Sequence, residues 1–311
     1  MNIIRYSADF KNLWNDFIKN SKNGTFMLDR NYMDYHSDRF MDHSLMFFDE
    51  SDKLIAVMPA SLHGDELRSH GGLTYGGIIS DKKMTTQKML DIFSLLKIYM
   101  KNSDISKLVY KRVPGIYYTY PSDEDLYALF INDAKLVRRD VSTTIDFSNR
   151  IPFAKGKKWG ISKAKQSNVI IKEFSNFELF FEHANNELLR KYSKQATHTS
   201  DEMQLLSNKF PDNIKMFGGF LNDEFLAGTI IFITETVVHT QYIVTTECGR
   251  EVMAFDLVID HIINNCAKNI KYFDFGISNE QEGRYLNTGL VRQKEMFGGR
   301  AIAHDFYEVR I

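Results

Sequence analysis

The sequence predicts an α/β (α+β) protein built from two similar halves, each with a mixed sheet flanked by helices. Helical and extended patterns alternate along the chain. An order of strand, helix, hairpin, strand, helix and strand occurs twice, and Asp52–Ala56 corresponds to Asp223–Ala227 at an offset of about 170 residues. An offset of that size favours duplication of a domain over a solenoid, with chance recurrence of common α/β patterns as the alternative.

The first half contains the clearest helical stripes. Apolar residues recur at helical spacing over Phe10–Ile18 and again over Met89–Met100, which predicts two amphipathic helices. Leu45–Phe48 and Leu54–Leu62 are apolar runs separated by a polar turn, the pattern of a β-hairpin. Leu108–Val113 predicts a further strand after the second helix.

The second half has the same kinds of segment in the same order. Ser175–Glu178 has the form of a capping box, so a helix is expected to begin there, and Phe255–Cys266 carries the apolar stripe of another helix. The extended stretches are Asn168–Phe174, Phe217–Leu221, Phe225–Thr234, Val237–Thr245 and Tyr272–Phe275. Repetition of this order indicates that both halves have one kind of fold.

The length of 311 residues predicts two domains. We place the first at residues 1–150 and the second at residues 151–311. The link is expected near Asp140–Lys165, a stretch that contains a proline, two glycines and a cluster of lysines.

Composition excludes several classes of protein. Hydrophobic residues make up 43% of the chain and aromatic residues 13%, which is enough for a sizeable core. A net charge of -1 argues against a DNA-binding protein, although a local basic patch for tRNA stays open. Two cysteines, no apolar signal-peptide region and no membrane-spanning run predict a soluble, cytoplasmic protein. The oligomeric state does not follow from the sequence.

Histidine and cysteine spacing predicts no metal site. His36 and His43 are seven residues apart, as are His63 and His70, and neither pair has the spacing of ligands on one helix face. Cys266 lies on an apolar helix stripe, which is typical of a buried small side chain rather than a nucleophile.

Two glycine-containing segments are candidate ligand contacts. Gly249 and Arg250 lie between a predicted strand and a predicted helix, where backbone N–H groups can hold the pyrophosphate of a cofactor. An ordinary strand-to-helix loop is the alternative, because acidic residues flank both positions. Ser69–Gly77 has four glycines in its last seven residues, so Tyr75 is a candidate substrate contact, with a bulged strand edge as the alternative.

The C-terminal segment carries the strongest candidates for chemistry. A predicted strand delivers Asp274, and the polar loop after it contains Arg284 and Tyr285, followed by Lys294. Acyl transfer to an amine needs a positioned acceptor, a route for its proton and a donor for the oxyanion. Lys294 is the candidate donor, Asp274 the candidate proton acceptor, and Arg284 with Tyr285 the candidate substrate site. A turn aspartate and a solvated lysine are the alternatives.

The same segment resembles a known family. The run FDFGIS, the loop containing GRYLNTGL and the run VRQKEMFGG are similar to the C-terminal signature of FemAB-like acyltransferases, and Lys157–Lys165 resembles the entry into the family's second domain. The resemblance implies two tandem GNAT-like domains. It also implies that Lys294 corresponds to the family's lysine before Phe-Gly, which stabilises the tetrahedral intermediate.

The resemblance implies a transferase in cell-envelope or polysaccharide biosynthesis with no tightly bound cofactor. The donor is expected to be acyl-CoA or aminoacyl-tRNA. The acceptor is expected to be the amine of an amino sugar or of an envelope precursor, as a small molecule or linked to a lipid. Two alternatives are a FemAB-type aminoacyltransferase of a peptidoglycan precursor and a non-catalytic module that binds such a precursor.

Overall fold

The computed structural model describes residues 1–192, 194–267 and 269–310. The chain divides into two compact units. The first unit comprises residues 1–140, 281–285 and 303–311, and the second comprises residues 141–280 and 286–302. Within the described residues, none of the helices combines the length and the apolar character needed to cross a bilayer.

Helices and strands alternate along the chain. The α-helices are α1 (Lys11–Asn20), α2 (Arg30–Met33), α3 (Thr86–Asn102), α4 (Glu124–Ile131), α5 (Lys155–Gln166), α6 (Phe177–Tyr192), α7 (Ser200–Lys209), α8 (Glu247–Glu251), α9 (Ala254–Asn265) and α10 (Thr288–Glu295). The strands are β1 (Asn2–Arg5), β2 (Leu45–Phe48), β3 (Leu54–Met58), β4 (Ser61–His63), β5 (Glu66–Arg68), β6 (Ile79–Ser80), β7 (Lys107–Lys111), β8 (Lys135–Asp146), β9 (Ile170–Glu173), β10 (Ile214–Leu221), β11 (Glu224–Ile233), β12 (Val237–Thr245), β13 (Tyr272–Ile277), β14 (Asn279–Glu280), β15 (Tyr285–Leu286) and β16 (Arg300–Arg310).

The first unit is built on short strands and the long helix α3. Strands β1, β2, β3 and β6 form an antiparallel sheet in that order. Strand β7 pairs in parallel with β5 and in antiparallel with β16. The buried stripe of α3, which includes Ile92, Phe93 and Leu96, packs into one hydrophobic cluster with β2 and β3. The predicted helix and hairpin are therefore present.

The second unit is built on six neighbouring strands of a mixed sheet. Its strand order is β8-β13-β12-β11-β10-β9, and β12 and β13 form its parallel pair while the other neighbours are antiparallel. Strands β10 and β11 form the predicted hairpin. Helix α9 is buried along most of its length because its apolar residues continue around more than one face.

Helices α6 and α9 pack on opposite faces of this sheet. The Phe225 ring on β11 contacts the Phe180 ring of α6, whereas the adjacent Leu226 lies in the hydrophobic cluster of α9. Successive side chains of a strand point to opposite faces. The two helices therefore enclose the sheet from both sides, as in a layered α/β unit.

Two local predictions are corrected by the structure. The Asn176 side chain, rather than that of Ser175, accepts the hydrogen bond at the start of α6, from Leu179 N at 3.0 Å. Part of the predicted link is helical, because Lys157, Gly160, Ile161 and Ala164 give α5 a buried face at helical spacing. The boundary at residue 150 stays a prediction.

Candidate functional site

The parallel strands of the second unit separate part of the way along. The pairing of β12 with β13 covers three residue pairs, from Val237–Tyr272 to His239–Asp274. Strand β12 then continues to Thr245 while paired only with β11 on its other side. A bulge at Gln241 accompanies the separation, since Tyr242 and Thr240 pair with consecutive residues of β11. A gap therefore opens at the carboxyl ends of the two strands.

A cavity of about 770 Å³ occupies this gap. Helices α6, α8, α9 and α10 contribute to its wall together with the diverging ends of β12 and β13. Much of the lining is apolar and includes Tyr242, Phe255, Phe275, Leu290 and Phe297. Its charged residues are Lys157, Glu187, Lys194, Arg250, Asp256 and Lys294. Size and lining are typical of a small-molecule site.

A bulge in β13 holds one residue of the cavity wall, Lys294, in place. Phe275 and Gly276 form a bulge, because two residues of β13 stand opposite one residue of β8 at this point. The φ angle of Gly276 is +75°, a conformation that glycine adopts without the strain of a side chain. The bulge turns the Gly276 carbonyl toward α10, where it accepts a hydrogen bond from Lys294 Nζ at 2.7 Å.

Lys294 lies on the buried side of α10 and lines the cavity. Its ammonium group also donates to Ile277 O at 2.8 Å and to Ser278 Oγ at 3.0 Å, so all three hydrogens have acceptors. Burial lowers the pKa of Lys294 to about 8, and the negative charge of Asp274 opposes the shift. The predicted oxyanion donor is thus an ammonium group on the cavity wall. It must break one of its three hydrogen bonds before it can donate to a ligand.

Asp274 lies beneath this wall and has no exposed surface. Its carboxylate accepts hydrogen bonds from Ser142 Oγ at 2.5 Å, from Thr144 Oγ1 at 2.7 Å and from the Gly276 N–H at 3.2 Å. The His239 ring lies 2.7 Å away through Nδ1. Asp274 is not among the residues that line the cavity, so direct proton transfer to it from a ligand stays a prediction without geometric support.

Gly249 and Arg250 both line the cavity. The Gly249 N–H donates to Thr246 Oγ1 at 3.0 Å, which caps α8, so this N–H already has an acceptor. The Arg250 side chain donates to Thr245 O at 2.7 Å and to Glu187 Oε2 at 3.1 Å. Both predicted cofactor contacts therefore line the cavity, and both already donate hydrogen bonds within the protein.

Replacing Gly249 by alanine is expected to destabilise the second unit by about 1–3 kcal/mol. A Cβ at this position would lie 2.0 Å from the backbone oxygen of Leu226, which cannot move without shifting β11. Gly289→Ala is the matched control in α10, because its Cβ would meet nothing nearer than Asn287 Oδ1 at 3.7 Å. Urea unfolding followed by circular dichroism measures both. Equal stability of the two variants would contradict the packing argument.

A buried ion pair in the same cavity was not predicted from the sequence. Lys157 of α5 donates to Asp256 Oδ1 of α9 at 2.7 Å, and both side chains are more than nine-tenths buried. The Lys157 ammonium also lies 4.4 Å from the centre of the Phe297 ring. Burial raises the pKa of the Asp256 carboxyl, and the hydrogen bond from Lys157 opposes that shift. The pair joins α5 to α9 and brings opposite charges to the cavity wall.

Three predicted substrate contacts belong to the first unit. The Tyr75 side chain is buried, donates to Thr25 Oγ1 at 3.1 Å and packs against the Tyr117 ring. Arg284 and Tyr285 are exposed. The structure thus brings Lys294, Gly249 and Arg250 together around one cavity, and the other three are not among its lining residues. Their substrate-binding role stays a prediction.

Known structures share this fold along most of the chain. FemX has a TM-score of 0.71 with 9% identity, covering 100% of this chain and 98% of its own. The C-terminal domain of a putative lysylphosphatidylglycerol synthetase from Agrobacterium fabrum has a TM-score of 0.59 with 8% identity, covering 90% of each chain. A tandem GNAT protein from the clavulanic acid biosynthesis pathway has a TM-score of 0.52 with 9% identity, covering 99% of this chain and 98% of its own.

No model of a known protein family and no curated protein sequence matches the chain. The structural similarity nevertheless confirms the predicted fold, an α/β architecture of tandem GNAT-like halves resembling the FemAB family. At 8–9% identity this similarity shows the fold alone.

Proposed function

We propose that the protein is an N-acyltransferase that moves an acyl group to the amine of an amino sugar or of another cell-envelope or polysaccharide precursor. One observation carries the proposal: a cavity of ligand size lies where two parallel strands part, and a buried lysine ammonium lies on its wall. The shared fold with FemX and with a tandem GNAT protein supports the same class of reaction.

The separated strands suit a donor that contains amide groups. Beyond His239, the side of β12 that faces the gap has backbone N–H and C=O groups without a neighbouring strand. An extended ligand can pair with such groups as an added strand does. Acyl-CoA, whose pantetheine arm contains two amides, is the donor we propose, bound as a co-substrate rather than as a resident cofactor.

In this proposal the cavity aligns the donor carbonyl and Lys294 stabilises the charge that develops on its oxygen. The amine nitrogen attacks the carbonyl carbon, the carbonyl oxygen becomes an oxyanion, and the bond to the leaving group breaks when the carbonyl re-forms. Lys294 would exchange its contact with Ser278 for the oxyanion, while the Gly276 and Ile277 carbonyls keep it in place. Arg250, which also lines the cavity, would hold an anionic part of the donor.

A two-stage binding and transfer experiment tests the proposal. Acetyl-CoA, succinyl-CoA and alanyl-tRNA are first screened for an increase in the melting temperature, because a ligand that binds only the folded state stabilises it. Each donor is then incubated with a UDP-linked amino sugar, and mass spectrometry detects the N-acylated product. Stabilisation by an acyl-CoA and formation of an amide product are expected. A chain that neither binds a donor nor forms product from any pair would contradict the proposal.

Aminoacyl-tRNA is the second candidate donor, and a basic helix surface favours it. Lys155, Lys158 and Lys165 of α5 are exposed, and Trp159 is 57% exposed beside the Lys163 ammonium. Cationic side chains around an exposed aromatic ring suit phosphates and unstacked bases. The resulting alternative is a FemAB-type aminoacyltransferase of a peptidoglycan precursor.

If tRNA is the donor, its affinity should fall steeply as salt is added. Replacing Lys155, Lys158 and Lys165 by glutamine should then reduce the slope of log K against log salt concentration by about 2–3, because each lost phosphate contact contributes about 0.7–0.9. Lys82→Gln with Lys83→Gln is the control, since both lysines are exposed in the first unit. Filter binding at several salt concentrations measures the slopes. Identical slopes would remove α5 from the tRNA site.

A non-catalytic module that binds an envelope precursor is the third candidate. The hydrogen bonds that already occupy Lys294 favour it, because a lysine held by three oxygens also serves a structural role. Such a module would gain stability from the UDP-linked amino sugar and form no product with any donor. The transfer experiment therefore separates this candidate from both enzymes.

A further inference from the structure

The last residue pair of the parallel ladder contains a histidine bound to a buried carboxylate. His239 Nδ1 lies 2.7 Å from Asp274 Oδ2, and the Asp274 carboxylate has no exposed surface. Ser142, Thr144 and the Gly276 N–H donate to the same carboxylate, which fixes its orientation. A carboxylate that accepts at Nδ1 selects the neutral tautomer with its hydrogen on Nδ1, so Nε2 carries the lone pair.

The lone pair of His239 has no partner in the described part of the chain. The His239 side chain is 13% exposed. Its Nε2 makes no hydrogen bond within the described residues, and this nitrogen is not enclosed by the protein. His43, by contrast, has Nε2 bonded to Tyr99 and Nδ1 enclosed. The arrangement at His239, one nitrogen fixed by a buried acid and the other open, is the arrangement of a general base.

His239 and Lys294 lie against the same residue. A Cβ built on Gly276 would be 3.2 Å from His239 Cε1 and 3.9 Å from Nε2, while the Gly276 carbonyl accepts from Lys294 Nζ at 2.7 Å. Val238 lies in the hydrophobic cluster that contains the buried residues of α9. Because successive side chains of a strand point to opposite faces, the next residue, His239, points to the face of the sheet on which α6 packs. Residues of both α6 and α9 line the cavity, which therefore reaches both faces through the gap.

On this geometry, and resting on the proposed N-acyl transfer, we propose that His239 is the general base that takes the proton from the attacking amine and that Asp274 is its positioning residue. The amine nitrogen forms the new C–N bond, and the carbonyl π pair moves to the oxygen. His239 Nε2 accepts the proton that leaves the nitrogen. As the tetrahedral adduct collapses, the C–S or C–O bond breaks, its electron pair goes to the leaving group, and the imidazolium returns the proton there. The products are an amide and a thiol or an alcohol.

This assignment gives Asp274 a role that its burial allows. The carboxylate does not line the cavity, yet it fixes the tautomer of His239 and stabilises the imidazolium that forms during the step. Lys294 interacts electrostatically with Asp274. His239 is itself outside the cavity lining, so the acceptor would approach Gly276 from the His239 side while the donor fills the cavity.

Substitution combined with chemical rescue tests the inference in the full-length chain. Wild type, His239→Ala, His239→Gln, Asp274→Asn and His261→Ala are assayed with acetyl-CoA or alanyl-tRNA and the UDP-linked amino sugar. His239→Ala and His239→Gln should lower kcat by about 10²–10⁴ fold with the donor KM within about twofold. Imidazole should restore His239→Ala at least about tenfold, whereas the weak base 1,2,4-triazole should not. Asp274→Asn should also lower kcat, and added imidazole should not restore it. The kcat of His261→Ala should equal that of wild type.

The outcomes separate this inference from the proposed function. Suppose that wild type forms product. A kcat of His239→Gln within about twofold of the wild-type value would then overturn the role of His239, and so would equal responses of His239→Ala to imidazole and to triazole. Either result would leave N-acyl transfer standing. If His239→Ala does not fold, His239→Gln decides the point, because its amide keeps a donor to Asp274. Absence of product with wild type for every pair would overturn the proposed function and this inference together.

Discussion

Replacing Lys294 by methionine is expected to lower turnover by about 10²–10³ fold, the effect of removing one donor to a developing oxyanion. Methionine keeps most of the side-chain volume and removes the ammonium. It also leaves the Gly276 and Ile277 carbonyls without their donor, which should cost about 1–3 kcal/mol of stability. Transfer assays and urea unfolding of the same sample distinguish the two effects, because the loss of turnover should persist where the variant is fully folded.

The pH dependence of turnover provides the sharper test of Lys294. Because burial lowers the pKa of Lys294 to about 8, its ammonium is charged below that pH and is lost as the pH rises through it. Wild-type kcat should therefore fall on the alkaline side near pH 8. Lys294→Arg stays charged, so any activity that it retains should not decline at that pH.

Arg292→Met is the matched control on α10, because Arg292 is exposed and outside the cavity lining. Its turnover and its pH profile should equal those of wild type. An alkaline limb that is the same in wild type and Lys294→Arg would show that another group titrates. Full activity in Lys294→Met would exclude the lysine from the reaction.

Lys157→Met is expected to destabilise the protein by about 3–5 kcal/mol at neutral pH, because it leaves the Asp256 carboxylate buried without a counter-charge. Burial already raises the pKa of Asp256, so the folded state holds its proton more tightly than the unfolded chain does. Stability from this carboxyl is therefore full at low pH and is lost as the pH rises through the folded-state pKa. Without Lys157 that loss should grow, and the variant should approach wild type near pH 4.

Two further variants complete this experiment. The double variant Lys157→Met with Asp256→Leu removes both charges and should recover most of the lost stability. Lys165→Met is the matched control, because Lys165 and Asp260 form a second ion pair between α5 and α9 at 3.8 Å with Lys165 mostly exposed. Its change should stay below about 1 kcal/mol. Equal effects at positions 157 and 165 in urea unfolding would contradict the argument from burial.

Periodicity in the sequence predicted most of the fold, whereas several residues that line the cavity were not predicted. The stripes of α3 and α9 were legible because buried apolar residues recur at helical spacing along each helix, whereas α1 buries Trp14 and Ile18 of its predicted stripe. Lys294 and Arg250 were identified because they lie in polar segments beside strand ends. Lys157 was hidden in a basic run, although its spacing from Gly160 and Ile161 on the buried face of α5 was a signal of burial.

Pairs brought together by the fold are harder to recognise. Lys157 and Asp256 are 99 residues apart, and His239 and Asp274 are 35 apart on parallel strands. No local pattern encodes such a contact, because the register of a parallel pair depends on the whole connection between the strands. The Gly276 bulge was likewise absent from the strand pattern, which reads as regular through Phe275.

The divergence of β12 from β13 has a consequence for the amide hydrogens of β12. Successive N–H groups of a strand point to alternate sides, so those beyond His239 that point away from β11 have no strand to bond with. They should exchange with deuterium much faster than their neighbours in the β11 ladder. A bound donor that pairs with them would slow this exchange. The protection pattern of residues 240–245 would therefore record occupancy of the cavity even for a ligand that is never turned over.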